Sequence, residues 1–395
     1  MVEPKPTLNE KENFMKKTIS VFLAAALLFS LLLLSGCGKT ANGEKFESIG
    51  ETYTNARDFS EGLAAVKKDG LWGYIDTDGN YVVEPKYYGA WSFSEGLAAV
   101  QNKNGKWGFI DKTGNEVIAA SYDGAWYFSG GLAVVVSGNY YGYINTSGEV
   151  VVELKYSDAA NFTAEIAAVQ KDGKKWGFID KTGKEITDFL YTEKPEFSDG
   201  LAEVFEQYKS GFVNEKGEVV IAMELEDANR FSEGLAAYED GTDWGYIDKT
   251  GKIIVEAKYA TAGEFSDGLA AVEKSGLFGY INTSGEVIVA PTYLTAYEFK
   301  DGIARVQLPS GTTEGTAGAF AFISKDGKKL FDKTYAAAKD FSGGYAPVAE
   351  AENKWGLIDK DGNTVIPCEW EETYAVSDGT VRLSDGGNYR FVKLK

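Results

Sequence analysis

Five Asp-x-x-Gly tetrads, beginning at Asp76, Asp111, Asp180, Asp248 and Asp359, set out oxygen donors at a spacing that could hold calcium. The equivalent position is Asn at Asn145, Asn214 and Asn282 and Ser at Ser324. A lysine follows at Lys112, Lys181 and Lys249, which would put one cation beside another. What Asp, Asn and Ser share is a short side chain that hydrogen-bonds turn backbone, with Gly in the left-handed position. The tetrads are therefore expected to be turns, and no metal is expected. The adjacent Glu371 and Glu372 are one pair among 59 acidic residues and do not single out general acid–base chemistry. The chain has no histidine, which removes Ser-His-Asp and Cys-His catalysis, His-ligated zinc or haem, and the usual pH switch. Without a histidine to activate it, Cys368 reads as a buried, inert thiol. No catalytic residue and no cofactor is expected, and a binding protein is the better reading than an enzyme.

Other residues could bind rather than react. An acid precedes Gly in a recurrent turn at Glu61, Glu95, Asp199, Glu233, Asp267, Asp301 and Asp378, and such a row could meet a basic partner. The same acids would also serve as solubilising turn residues. Trp91 and Trp126 lie in connecting segments and lack equivalents in most copies, so they are candidates for exposed, glycan-facing aromatics. The stretch from Pro309 to Gly318, with Thr312, Thr313 and Glu314 at its centre, interrupts an otherwise regular spacing. Insertions of this kind fall in loops, often on a binding face.

The first residues read as an address. Lys16 and Lys17 follow Met15, an apolar run extends from Ile19 to Leu34, and Leu34-Ser35-Gly36-Cys37 closes it. This is the layout of a secretory signal, short for a membrane span. The tetrad resembles the lipobox of bacterial lipoproteins. That resemblance implies a signal peptide over 1–36 (with translation starting at Met1 or Met15), acylation of Cys37, a tether over 37–45, and attachment to the outer face of the cell membrane or to the outer membrane. Past the signal remain 36 of the 40 basic and 56 of the 59 acidic residues, a net charge near −20. That charge argues against nucleic acid and leaves membrane contact to the acyl chains alone.

What must position all these residues is a tandem array. Phe-Ser-Glu-Gly-Leu-Ala-Ala-Val begins at Phe59 and again at Phe93, with variants at Phe128, Phe162, Phe197, Phe231, Phe265, Phe299, Phe341 and Val376; eight of the nine steps are 34 or 35 residues. A period of this size dictates architecture before any local reading does. Each unit reads as a three-stranded antiparallel meander: Leu63 to Lys67, Leu71 to Asp76 and Tyr81 to Glu84, joined by Gly-bearing turns. Trp72 and Tyr74 share one face of the middle strand, Gly73 and Ile75 the other, so both faces carry apolar bulk and need cover. Neighbouring units are the expected cover, with Trp of one unit filling space left by Gly in the next. The small Ala64 position suggests that Leu63 to Val66 is the innermost strand of a propeller-like ring.

Trp72-Gly73, Trp107-Gly108, Trp176-Gly177, Trp244-Gly245 and Trp355-Gly356, each followed by an aromatic or aliphatic residue, Ile and Asp, resemble the bacterial WG (KWG) repeat. The resemblance covers about 350 residues, over 46–395, and departs at Ser210, Ala321 and Arg390. It implies a β-rich, often exported repeat protein and carries over no catalytic residue. The expected fold is all-β: about ten such repeats in a propeller-like toroid, with an open β superhelix as the alternative. Residues from Phe46 match a third strand, and the chain stops after a second strand, so the ends could complete one unit between them. The expected function is a non-enzymatic scaffold binding a protein or peptide in the cell envelope, with carbohydrate or cell-wall binding as the alternative.

Overall fold

The computed structural model describes residues 45–163, 165–309 and 318–395. The signal and lipidation segment, with Met15 and Cys37, lies outside the described residues, as do Thr312, Thr313 and Glu314. Within blade 1, strands Asn55–Ala56, Leu63–Lys68, Leu71–Asp76 and Tyr81–Tyr87 pair in that spatial order, all antiparallel. The described residues repeat this plan in ten sheets, seven of four strands and three of three. The expected three-stranded meander thus gains a two-residue strand from the connector, and this short strand, not Leu63 to Val66, forms the inner edge. The Ala64 position is crowded instead because its strand is sandwiched between two others and two blades.

The turn that launches each second strand explains the repeated phrase. Ser60 and Leu63 exchange backbone bonds of 2.9 and 3.2 Å around Glu61 (φ 54°) and Gly62 (φ 84°). Two left-handed central residues make a type I′ turn, whose twist matches the strands it joins. The Asp-x-x-Gly tetrads turn the chain once more: Asp76 Oδ1 accepts from the backbone N–H of Asp78 (3.0 Å) and Asn80 (2.9 Å). Asp111, Asp180, Asp248 and Asp359 do the same, as do Asn145, Asn214 and Asn282.

Each blade is covered on both faces by its neighbours. Leu63, Ala65, Tyr74 and Val83 of blade 1 bury against Ala90, Phe93, Ala98 and Ile110 of blade 2, while Ala64, Val66 and Ile75 turn toward Phe391 of blade 10. The ring of Tyr74 meets Phe93 edge-on at 4.9 Å, and the same aromatic pair recurs around the molecule to Phe391 and Phe59 at 5.0 Å. Such pairs contribute about 0.5–1.5 kcal/mol each beyond their buried area.

Gly73 has a different role from the one its sequence suggested. The outer strand bulges beside it, where register shifts between Trp72↔Tyr87 and Tyr74↔Val83. A Cβ on Gly73 would stand 2.4 Å from the carbonyl oxygen of Val83 in the same blade. The space is claimed by the blade's own bulge and not by a neighbour's Trp.

The ring is closed. Phe46–Tyr53 pairs with Asn388–Leu394, so the N-terminal segment supplies the outer strand of blade 10. Across the seam, Ser377 Oγ donates to the Phe59 carbonyl (2.7 Å), and the Gly62 N–H donates to Asp378 (2.9 Å). These bonds match those between sequence-adjacent blades, such as Ser60 to Phe93 (2.8 Å). The open superhelix is excluded: the molecule is a ten-bladed β-propeller, fastened by a strand from each end of the chain.

Candidate functional site

The inner edge is where the blades stop resembling one another. Two residues before each turn phenylalanine (Val376 in the last blade), blades 1 to 10 carry Arg57, Trp91, Trp126, Ala160, Pro195, Asn229, Gly263, Tyr297, Lys339 and Tyr374. The backbone geometry there recurs at four junctions, where Tyr74, Tyr143, Tyr246 and Tyr280 donate their hydroxyl to this residue's carbonyl in the following blade, at 2.6–2.8 Å. The same position therefore carries eight residue types across ten blades along one rim.

Trp91 and Trp126 both lie on this rim and are half-buried. Trp91 stacks on Trp107 at 6.4 Å and carries the Arg57 guanidinium 4.2 Å from its ring. Trp126 leans on Tyr141 at 5.9 Å, beside an exposed Tyr127. Next to Trp126, blade 4 has only Ala160, and the missing bulk opens a cleft of about 360 Å³ across blades 3 to 5. Trp126 forms one wall, Ala159, Ala160 and Ala168 the floor, and Lys194, Pro195 and Glu196 the far side.

The acids of the turns are brought together in a ring, each engaged by its neighbour. Glu61 accepts from the Gly96 N–H (3.1 Å), Glu95 from Gly130 and Gly131 (2.8 and 3.0 Å), Glu233 from Gly268 (2.8 Å) and Asp267 from Gly302 (2.7 Å). Asp199, Asp301 and Asp378 repeat the contact. Lys112 adds an ion pair to Glu61 (3.0 Å) and Lys249 one to Asp199 (2.8 Å). Burial alone would raise the Glu61 carboxyl, but the Lys112 contact and the Gly96 amide outweigh it and hold the pKa below its ordinary value. A non-glycine residue in the left-handed region is strained; here the charge-assisted bond to the next blade offsets that strain.

Sequence reading noticed Ser210 only as a gap in the aromatic series. In the structure it faces Glu203, which replaces alanine on the neighbouring strand, and Ser210 Oγ donates to Glu203 Oε1 at 2.5 Å. The two stand diagonally across adjacent strands, Glu203 opposite Phe212 and Ser210 opposite Phe205. Burial pushes the Glu203 carboxyl up to about 7, helped by the nearby Asp227 and Glu193 and opposed by the Ser210 hydroxyl and the Ala228 N–H. The signal was a double departure, each residue ordinary alone. Cys368 is partly buried, its Sγ 3.7 Å from the Val348 carbonyl, and burial raises its pKa. Among the described residues, no three of His, Cys, Asp or Glu stand together as a metal site would require.

The repeat Trp-Gly pairs stand behind the rim, with Trp72, Trp107 and Trp355 in contact with the rim residues Arg57, Trp91 and Lys339. Gly73, Gly108, Gly245 and Gly356 are each crossed by their own bulged strand at 2.4 Å from where a Cβ would be, while Gly177 has 3.1 Å. Trp72 and Trp176 are buried, and Trp107, Trp244 and Trp355 are partly covered within the frame.

No curated protein sequence is significantly similar to the chain. Among solved structures, it is similar to "the eukaryotic initiation factor", with 15% identity over 75% of this chain and 91% of that one at a TM-score of 0.47. It is also similar to BamB from Moraxella catarrhalis, with 12% identity, 67% and 97% coverage and a TM-score of 0.33. The WD40 beta propeller domain of Doa1 shows 11% identity, 61% and 93% coverage and a TM-score of 0.28. The family model described as "WG containing repeat" matches ten times in succession, at 52–72, 72–107, 107–141, 141–174, 176–209, 211–241, 244–278, 278–308, 320–354 and 355–389. The ten matches together span residues 52–389, and the chain belongs to the WG containing repeat family.

Proposed function

We propose that this propeller is a non-enzymatic scaffold that binds a protein or peptide along its inner rim, held outside the cytoplasm by a lipid on Cys37. The observation that carries this reading is the rim itself: one repeated position carries eight residue types in ten blades. Internal repetition fixes the core positions, so a position that takes eight residue types in ten blades is one where packing makes no common demand and recognition can act. The turn acids Glu61, Glu95, Glu233 and Asp267 lie on the same Gly-bearing turns, and in an acidic molecule their outer edges favour a basic partner. Thr312, Thr313 and Glu314, outside the described residues, belong to the proposed binding residues by sequence alone. The address reading completes the proposal: a signal peptide over 1–36, a tether over 37–45, export, and membrane contact through the acyl chains only, on the cell membrane or the outer membrane.

A second reading, carbohydrate or cell-wall binding, is favoured by one feature, the cleft between Trp126 and Pro195. An aromatic wall over a floor of alanines suits the face of a sugar ring. Affinity capture from an envelope extract tests the first reading, using residues 38–395, the Trp126→Ala variant, and a form lacking Pro309 to Gly318. A discrete protein retained by the parent and lost by either variant supports the scaffold. Retention of glycan alone supports the second reading, and turnover of a substrate abolished by a single substitution contradicts both.

A further inference from the structure

Four successive junctions, from blade 8 round to blade 2, are bridged by a cation laid over aromatic rings. Each donates to a carbonyl of the next blade's inner strand: Arg305 to Ala338, Lys339 to Thr373, Arg382 to Ala56 and Arg57 to Ala90. The first three also meet a carboxylate of that next blade, Asp340 at 2.5 Å, Glu372 at 2.7 Å and Asp58 at 2.8 Å. Arg57 meets no carboxylate among the described residues. The blade 2 residues that correspond to Glu372 and Asp58 are Gly89 and Ser92. Gly89 has no room for an acid, since even a Cβ would lie 2.8 Å from Cη2 of Trp107.

Arg57 is nonetheless held in place. Its guanidinium lies 4.2 Å from the Trp91 ring and 5.6 Å from that of Trp72, and its Nε is 2.9 Å from the Ala90 carbonyl oxygen. That leaves both terminal nitrogens without an acceptor among the described residues. Burial lowers its pKa, opposed by Tyr74 and assisted to a smaller extent by Arg382. Beside it opens a cleft of about 530 Å³, lined by Asn55, Asp58, Trp72, Ser92 and Arg382. Asp58 is already engaged twice by Arg382, at 2.8 and 3.3 Å, so the cleft keeps one uncompensated positive charge in a chain of net charge −19.

We propose that the cleft between blades 1 and 2 binds the carboxylate of a ligand, which takes on Arg57 the place that Asp340, Glu372 and Asp58 fill at the other three junctions. An immobilised guanidinium offers a carboxylate two parallel donors at little entropic cost, and Ser92 adds a hydroxyl. The inference goes beyond the scaffold reading and does not require the partner to be a protein.

Calorimetric titration of residues 38–395 at low ionic strength tests it, with N-acetylphenylalanine as a peptide carboxylate, its amide as uncharged control, and glucuronate as a sugar acid. At least one acid is expected to bind and the amide is not; whichever acid binds identifies the source. Arg57→Gln should weaken binding by about tenfold or more, the loss of a charge-assisted pair. Ser92→Asp supplies the missing acid from within, so binding should be lost while the thermal midpoint holds or rises, which separates site loss from misfolding. Binding of neither acid, or binding left unchanged by Ser92→Asp, overturns the proposal.

Discussion

Glu203 shows how far a single residue can depart from the repeat while the fold stands. Its folded pKa of about 7 lies above its ordinary 4.5, so the folded state keeps a proton that the unfolded state loses across that interval. Stability should therefore fall as pH rises from about 4.5 to about 7. Glu203→Gln is expected to raise the thermal midpoint at pH 8 and leave it nearly unchanged at pH 4; an equal shift at both would show that burial of the charge is not the cause. The turn acids bond outward, to the next blade. Asp267→Asn removes charge from a bond to the Gly302 amide while keeping a left-handed-tolerant residue, so a loss of only about 0.5–1.5 kcal/mol is expected in urea unfolding. At this scale much was legible: the Asp-x-x-Gly tetrads could be read as turns because Asp, Asn and Ser interchange there. The bonds from Glu61 and its equivalents to the next blade were not legible, because a contact between turns some 34 residues apart leaves no local mark.

Among elements, the bulged outer strand decides what the third strand can carry. Where the bulge crosses, Gly73 and its equivalents leave no room for a side chain. In blade 8 the outer strand is reduced to isolated bridges, Phe320↔Tyr335 and Ile323↔Lys329, and there alanine is found, at Ala321. In blade 10 the outer strand comes from the other end of the chain and shifts register between Ile49 and Tyr53, and the position is Arg390. The departures that looked like wear in the repeat thus follow the strand that lies over them. Gly73→Ala should cost about 1–3 kcal/mol by overpacking, whereas Ala321→Gly should cost under about 1 kcal/mol; equal effects in urea unfolding would contradict the bulge account. Strand number was misread for a related reason. A two-residue inner strand such as Asn55–Ala56 has no alternation of its own, and only pairing with Leu63–Lys68 reveals it.

The whole molecule is a ring whose seam uses the same contacts as its other junctions. Deleting Phe46–Tyr53 would leave Asn388–Leu394 as a bare edge and uncover Phe391, so its amides should lose hydrogen-exchange protection while those of blade 5 keep theirs. Unchanged protection in blade 10 would contradict closure by this strand. Ring or spiral could not be decided from sequence, since both allow a chain that starts in mid-unit; pairing between the two ends decides it. The rim was not legible as a surface, because its residues carry information only once the frame shows that they share one line. That the inner rim is the recognition surface is tested most directly by photocrosslinking in an envelope extract. A photoreactive phenylalanine analogue would replace either Tyr127 on the rim (47% exposed) or Val150 on the outer strand (51% exposed). The rim position is expected to give a discrete protein adduct and the outer position none; an adduct from Val150 alone, or equal adducts from both, would contradict recognition at the rim.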